Sequence, residues 1–330
     1  MPGEDPLLDI LGKLKLRTAR LTSATASGAS YPSPLSVNSM AVSPDGRKLA
    51  VGRSNGLHFL DAQSLEPSGD PDRPALEVKR LRFSLDGTTL FYKTDERAGT
   101  FRIEPPLPGI DLTGIDARSD VFFAPARGAL LRVDRTHVYA FDVETGAPAG
   151  QVAFVDAGGP EAKAPWIVAD IAVDGRFALC TRSKQGGGGV SVRRLDLSTG
   201  RGPDAAAPLP GPSGGGGAIA PGGAWAVVAD GWGNFATIDL DTMKFATPIV
   251  QQGQRWSVWA LAASPDGRHW ASARMREVAV WRLAAEHPIE RIDLDTIDDP
   301  PRALAFGPDG TLFIGTAAGR VLRIELTRGE

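Results

Sequence analysis

Leu261 to Leu283 reads LAASPDGRHWASARMREVAVWRL. A short apolar run meets a sharp turn at Ser264-Pro265-Asp266-Gly267. A second apolar run follows, then a polar turn at Arg274 to Glu277 and a third run closing on Val280-Trp281. Proline presets φ and glycine accepts φ > 0, so Pro-Asp-Gly between apolar runs marks a tight turn between strands. The stretch predicts three consecutive antiparallel strands.

The same turn recurs along the chain. It stands as Ser43-Pro44-Asp45-Gly46, Ser84-Leu85-Asp86-Gly87, Ala124-Pro125-Ala126-Arg127-Gly128, Val173-Asp174-Gly175, Ala220-Pro221-Gly222-Gly223 and Gly307-Pro308-Asp309-Gly310. From Gly46 to Gly310 the steps are 41, 41, 47, 48, 44 and 43 residues, averaging 44. A period of this length is what a four-stranded propeller blade requires. The third run of most copies ends on an acid: Leu60-Asp61, Ile103-Glu104, Phe141-Asp142, Leu195-Asp196, Ile238-Asp239 and Ile324-Glu325. The sixth copy departs, with Trp281-Arg282.

Over residues 36–330 these repeats resemble the WD40-like β-propeller superfamily, including its bacterial relatives with SPDG turns. The resemblance implies an all-β, seven-bladed β-propeller of four-stranded antiparallel blades. No copy has the Gly-His pair before its first strand or a Trp-Asp pair, so the buried network of the strict family is not expected.

Lys13 to Leu21 (KLKLRTARL) alternates apolar and basic residues, the period of a strand with one wet face. The last copy supplies only three strands. We therefore expect residues 13–21 to complete blade seven, covering an edge that would otherwise invite aggregation. Residues 1–12 are read as an N-terminal extension, and 13–330 as one propeller domain.

The 330 residues are 42% hydrophobic and carry a net charge of −3, which gives no electrostatic case for nucleic-acid binding. A single cysteine, Cys180, cannot staple the fold and fits a reducing compartment. The N-terminus does not read as a signal peptide, and no apolar stretch approaches the roughly 20 residues of a membrane span. These features lead to a cytoplasmic expectation, and the Gly, Pro, Ala and Arg content to a bacterial one.

His58, His137, His269 and His287 show no spacing that gathers them, and Cys/His metal-ligand spacing is absent. No cofactor is expected. A hydrolytic propeller of the lactonase kind is the main enzyme alternative, and its calcium candidates would be Asn55, Asp134, Asp230 and Asn234. The glycine runs Gly186–Gly189 and Gly214–Gly217 lack the context of a phosphate loop.

Seven residues past each turn glycine stand Arg53, Thr94, Arg135, Arg182, Asp230, Arg274 and Ala317. This position is expected at the end of the second strand, on the top face, where second-to-third-strand turns and inter-blade connections lie. All seven tryptophans fall between residues 166 and 281. Trp225, Trp270 and Trp281 read as core. Trp166, Trp232, Trp256 and Trp259 fall at or near the top of blades four to six. Arginine and tryptophan are the side chains enriched at binding hot spots. The partner-binding candidates are therefore Arg53, Arg182, Arg255, Arg274, Trp166, Trp232, Trp256 and Trp259. The expected role is a non-enzymatic platform binding a protein partner with an acidic or aromatic surface. An anion or sugar-phosphate sensor in the central channel is a further alternative.

Overall fold

The structure is a computed structural model describing residues 17–20, 36–68, 77–103, 107–113, 120–134, 137–153, 166–183, 189–205, 208–212, 216–246, 249–250, 258–294 and 299–326. The expected extension 1–12, Gly186 to Gly188 of the first glycine run, Gly214 and Gly215 of the second, and part of the expected strand 13–21 lie outside these residues.

Seven antiparallel sheets stand around one axis as a β-propeller. Blade one comprises Val37–Val42, Lys48–Arg53 and Gly56–Asp61, with Leu60 bridged to Pro67. Blade two comprises Arg80–Phe83, Thr89–Lys93, Arg97–Arg102 and Leu107–Thr113. Blade three comprises Asp120–Ala124, Ala129–Val133, His137–Asp142 and Pro148–Ala153. Blade four has three strands, Ile167–Ile171, Phe177–Ser183 and Val190–Asp196; isolated bridges to Asp204 and Leu209 stand where a fourth strand was expected. Blade five holds Gly217–Ile219, Trp225–Ala229, Phe235–Asp239 and Lys244–Phe245. Blade six holds Val258–Ala263, His269–Arg274, Glu277–Arg282 and Glu290–Asp293. Blade seven has Pro301–Phe306, Leu312–Thr316 and Arg320–Ile324, and its outer position is taken by Arg17–Arg20, which runs antiparallel to Arg320–Arg323.

In all seven blades the N–H of the turn glycine donates to the carbonyl three residues earlier, and in blades one, two and six a serine-bonded carboxylate completes the turn. Asp45, Asp86 and Asp266 each accept the hydroxyl of the serine two residues earlier and the N–H two residues later. That serine accepts the N–H of Lys48, Thr89 or His269, which fixes the start of the second strand. The seven turn glycines sit at φ between 55° and 87°, a region open to glycine at little cost. The acids closing the third strands act likewise. Asp61, Asp142, Asp196 and Asp239 accept N–H and hydroxyl donors from the turn just after them. Both turn types lie at the bottom of the ring.

First strands of successive blades pack against one another around the axis. Two charged side chains tie four of them together. Arg82 in blade two donates from Nη1 to the carbonyls of Phe123 (3.2 Å) in blade three and Ile171 (3.1 Å) in blade four. Asp170 in blade four accepts the Ile219 N–H of blade five at 2.8 Å. Burial lowers the Arg82 pKa and the Asp170 charge opposes that fall. Between blades five and six, Phe235 meets Trp270 and Trp281 edge-on with centroids 5.0 and 4.7 Å away. Trp225 Nε1 donates to Gly267 O at 2.6 Å. Aromatic pairs of this kind add about 1 kcal/mol beyond area burial. Among the described residues no helix is long and apolar enough to cross a membrane.

Two outcomes follow. Deleting residues 1–22 removes the strand lying on Arg320–Arg323 and leaves a free edge. Gel filtration is expected to show loss of soluble monomer; an unchanged monomer with an unchanged melting temperature would disprove closure by this strand. The second outcome concerns acid. The Ser43 hydroxyl, then the Arg47 N–H, hold Asp45 below its ordinary value, and the Ser84 hydroxyl does the same for Asp86. For Asp266 burial opposes ionisation, yet bonds from Ser264, Arg268 and His269 lower the pKa from 3.8 to about 2. A depressed carboxylate stabilises the fold above its unfolded pKa, and that stability is lost as pH falls through the folded value. Melting temperature should therefore fall steeply between about pH 4 and pH 2. A flat profile across that window would contradict the role given to these turns.

Candidate functional site

The seventh residue past each turn glycine does fall at the top end of the second strand or just beyond it. Arg53 and Arg274 end their strands, Arg182 is the penultimate residue of its strand, and Thr94, Asp230 and Ala317 follow theirs. Arg135 lies outside the described residues. The side chains at this position then diverge.

Arg53 is 1% exposed and donates from Nη2 to Gly319 O of blade seven at 2.6 Å. Burial lowers its pKa to about 10. It joins two blades, which corrects its reading as a contact residue. Trp166 is also buried. Its ring lies between the guanidiniums of Arg182 at 4.3 Å and Arg193 at 4.4 Å. Arg193 is itself held by Asp204 at 2.5 Å. Trp166 is therefore a packing element, and Arg182 presents to solvent only what that stack leaves uncovered. Arg274 stands at the top turn of blade six, half-buried and paired with Glu277 at 2.8 Å, which also takes Arg291 at 2.7 Å. Arg255 and Trp256 lie outside the described residues.

Trp232 and Trp259 are different. They are 41% and 36% exposed. Trp232 occupies the second-to-third-strand turn of blade five, and that turn is built on Asp230, which is fully buried. Asp230 accepts four donors: Gly211 N, Trp232 N, Asn234 N and Asn234 Nδ2, at 2.7 to 3.0 Å. Trp259 stands on the first strand of blade six. Arg302, from the first strand of blade seven, lies over its ring at 4.6 Å.

A register not counted from the sequence leads to the same place. Eight residues before the turn glycines stand Asn38, Lys79, Asp120, Ile167, Trp259 and Arg302. All lie at the top end of the first strand or one residue before it. The polar members are engaged: Asn38 with Glu77, Lys79 with Asp95, Asp120 with Lys93, and Arg302 with the Trp259 ring. Ile167, 48% exposed, adds apolar surface to that of Trp259. Ile167, Trp232 and Trp259 thus occupy the top ends of blades four, five and six.

The acids and amides weighed for calcium each hold a turn. Asn55 meets His58 Nε2 at 3.2 Å, Asp134 accepts His137 N at 2.7 Å, and Asp230 and Asn234 bind each other. Among the described residues no three His, Cys, Asp or Glu side chains gather as a metal site. Cys180 is buried, and burial pushes its thiol up to about 12 despite the Arg193 charge. An inert thiol is the chemical result.

Comparison with known proteins speaks chiefly to the fold. The β-propeller domain of Cps50 (Swd1) from Myceliophteria thermophila superposes with a TM-score of 0.72 at 14% sequence identity, over 94% of this chain and 100% of that one. A family model described as strictosidine synthase-like, N-terminal, matches residues 287–324, from the last turn of blade six through three strands of blade seven. No curated protein matches the chain.

Replacing Asp230 with Ala leaves its four donors unmatched, that of Gly211 buried and those of Trp232 and Asn234 part-buried. The loss should be about 3 kcal/mol or more of unfolding free energy in urea, with a red-shifted and less anisotropic Trp232 emission. Wild-type stability in that variant would remove Asp230 as the support of the turn.

Proposed function

We propose that this chain is a non-enzymatic protein-interaction platform of a bacterial, cytoplasmic multi-protein assembly, and that it binds through the top face of blades four to six. The observation that carries the reading is the placement of apolar surface. Of five exposed large hydrophobic side chains among the described residues, Ile167, Trp232 and Trp259 stand at the top of three consecutive blades. The other two, Leu85 and Ile289, lie at the bottom. Exposed aromatic surface grouped on one face is characteristic of binding sites.

Arg182, Arg274 and Arg302 stand around this surface. They favour a partner that brings carboxylates or aromatic rings, and such charges act mainly on encounter rate and orientation. The net charge of −3 argues against nucleic acid as that partner. An enzymatic propeller is the second reading, favoured by the strictosidine synthase-like segment at residues 287–324.

The test is affinity capture with mass spectrometry on the wild type and on a Trp232→Ala, Trp259→Ala double variant. Each anchor should contribute at least about 2 kcal/mol of binding. Melting should stay close to wild type because both rings are largely outside the core. The named partner should be retained by wild type and lost by the variant. Equal capture by both proteins would disprove the site.

A further inference from the structure

A large open cavity lies at the bottom of the ring, between blades six and seven, away from the rim described above. Its volume is about 1220 Å³. Leu283, Ile289, Phe306 and Leu326 supply apolar lining, and Arg268 and Arg282 line it as well. Ile289 is 51% exposed.

This is also where the repeat breaks its own rule. In blades one, three, four and five the third strand closes on an aspartate that holds the following turn by two or more hydrogen bonds. Blade six has Arg282 there. Its turn is held instead by the Ala285 N–H on Arg282 O at 3.1 Å, with Ala284 at φ 62°. Leu65 and Met243 adopt the same region in the corresponding turns of blades one and five, so the departure of blade six is the missing aspartate and not the positive φ. A structural acceptor has been exchanged for an exposed donor on the lining of the cavity. Departures from a local rule without a stabilising return concentrate at functional sites.

The polar lining is one-sided in what it can still bind. Asp266 is engaged by Ser264, the Arg268 N–H and His269, and Asp309 by the N–H and hydroxyl of Thr311. Arg268 and Arg282 have no side-chain hydrogen bond or ion pair among the described residues, and Glu290 is the one acid of the cavity in the same state. The free binding capacity is therefore mostly guanidinium, above an apolar floor. A guanidinium fork matches a carboxylate, and an open cleft of this size accommodates an extended chain.

We infer that the groove between blades six and seven is a second docking surface, and that its occupant is a peptide segment of another protein pairing an apolar side chain with one or more carboxylates. The apolar side chain packs on Leu283, Ile289 and Phe306, and the carboxylates meet Arg268 and Arg282. With the top face engaged elsewhere, the chain would bridge two partners.

The probe is a random-peptide display library panned against the full chain, followed by titration of the selected peptides. Selected sequences should place Asp or Glu beside Leu, Ile or Phe. Their affinity should fall at least about tenfold in Arg282→Glu, equivalent to about 1.4 kcal/mol, and should weaken with added salt. Ile289→Ser should weaken the same peptides, which keeps the test open if the charge reversal fails to fold. The Trp232→Ala, Trp259→Ala variant should bind them as wild type does, so failure here and failure of the top-face reading are separable. The inference is overturned if no acidic-apolar peptides are selected, or if binding is indifferent to both groove substitutions. It is equally overturned if the peptides are lost with the two tryptophans. Self-association of the purified chain that Arg282→Glu abolishes would make the occupant a second copy and also overturn it.

Discussion

The ring depends on one tight turn repeated in all seven blades, in which the N–H of a positive-φ glycine donates to the carbonyl three residues earlier, and in three blades a serine-bonded carboxylate reinforces it. The side chains of Asp45, Asp86 and Asp266 take a serine hydroxyl and a backbone N–H from residues within reach of a few bonds. Such a turn forms without help from distant parts of the chain. It fixes the residue at which the second strand begins, and because side chains alternate along a strand, it also fixes which of them enter the seam between blades. The first and second strands then run five to seven residues in most blades and end on the opposite face. The composition of the top rim is therefore set by a hydrogen bond made at the bottom.

Seams between blades pose a second problem. Few backbone bonds pass between blades, among them Ala126 N–H to Val173 O at 3.1 Å, so side chains make most of the link, and buried or part-buried guanidiniums supply several. Arg53 reaches Gly319 O, Arg82 reaches Phe123 O and Ile171 O, and Arg194 reaches Leu240 O at 3.2 Å. A carbonyl already in a ladder keeps a second lone pair, and a guanidinium offers five donors in one plane. Arginine can thus join two finished sheets without disturbing either, which lysine's single ammonium does less well.

That use of arginine explains which parts of the sequence were legible. The spacing of Gly46 through Gly310 and the apolar runs between them were enough for seven blades, and Trp225, Trp270 and Trp281 fell into the core as read. The end of the second strand was also placed on the correct face. Counting cannot say whether a residue at that end turns outward or into the seam, because Arg53 and Arg274 share one register and only Arg53 is buried. Trp166 was missed for a related reason: its two enclosing guanidiniums come from positions 16 and 27 residues further along the chain. The rim of first strands was harder still. The pairing of first with second strand slips between Val37 and Ser39, Val258 and Ala260, and Pro301 and Ala303. A bulge inverts the alternation beyond it, so Arg302 stands where simple period-two reading does not put it, while Trp259 was read near the top face from its position at the start of a first strand.

The turn that carries Trp232 bears on whether the top face is built for recognition. A solvent-exposed loop needs no buried acid; water satisfies its donors at small cost. Here a fully buried carboxylate accepts four donors, two of them from Asn234 and one from Trp232 itself. Burying an ionised group costs several kcal/mol unless its bonds are complete, so the arrangement tolerates little change. Its product is a fixed backbone beneath a ring that remains 41% exposed. The exposed part of the ring adds nothing to folding, since that area is not removed from water. A rigid support under an exposed aromatic lowers the entropy lost when a partner covers it. Local order of this kind therefore favours binding more than stability, and it lies in blade five, between Ile167 on blade four and Trp259 on blade six.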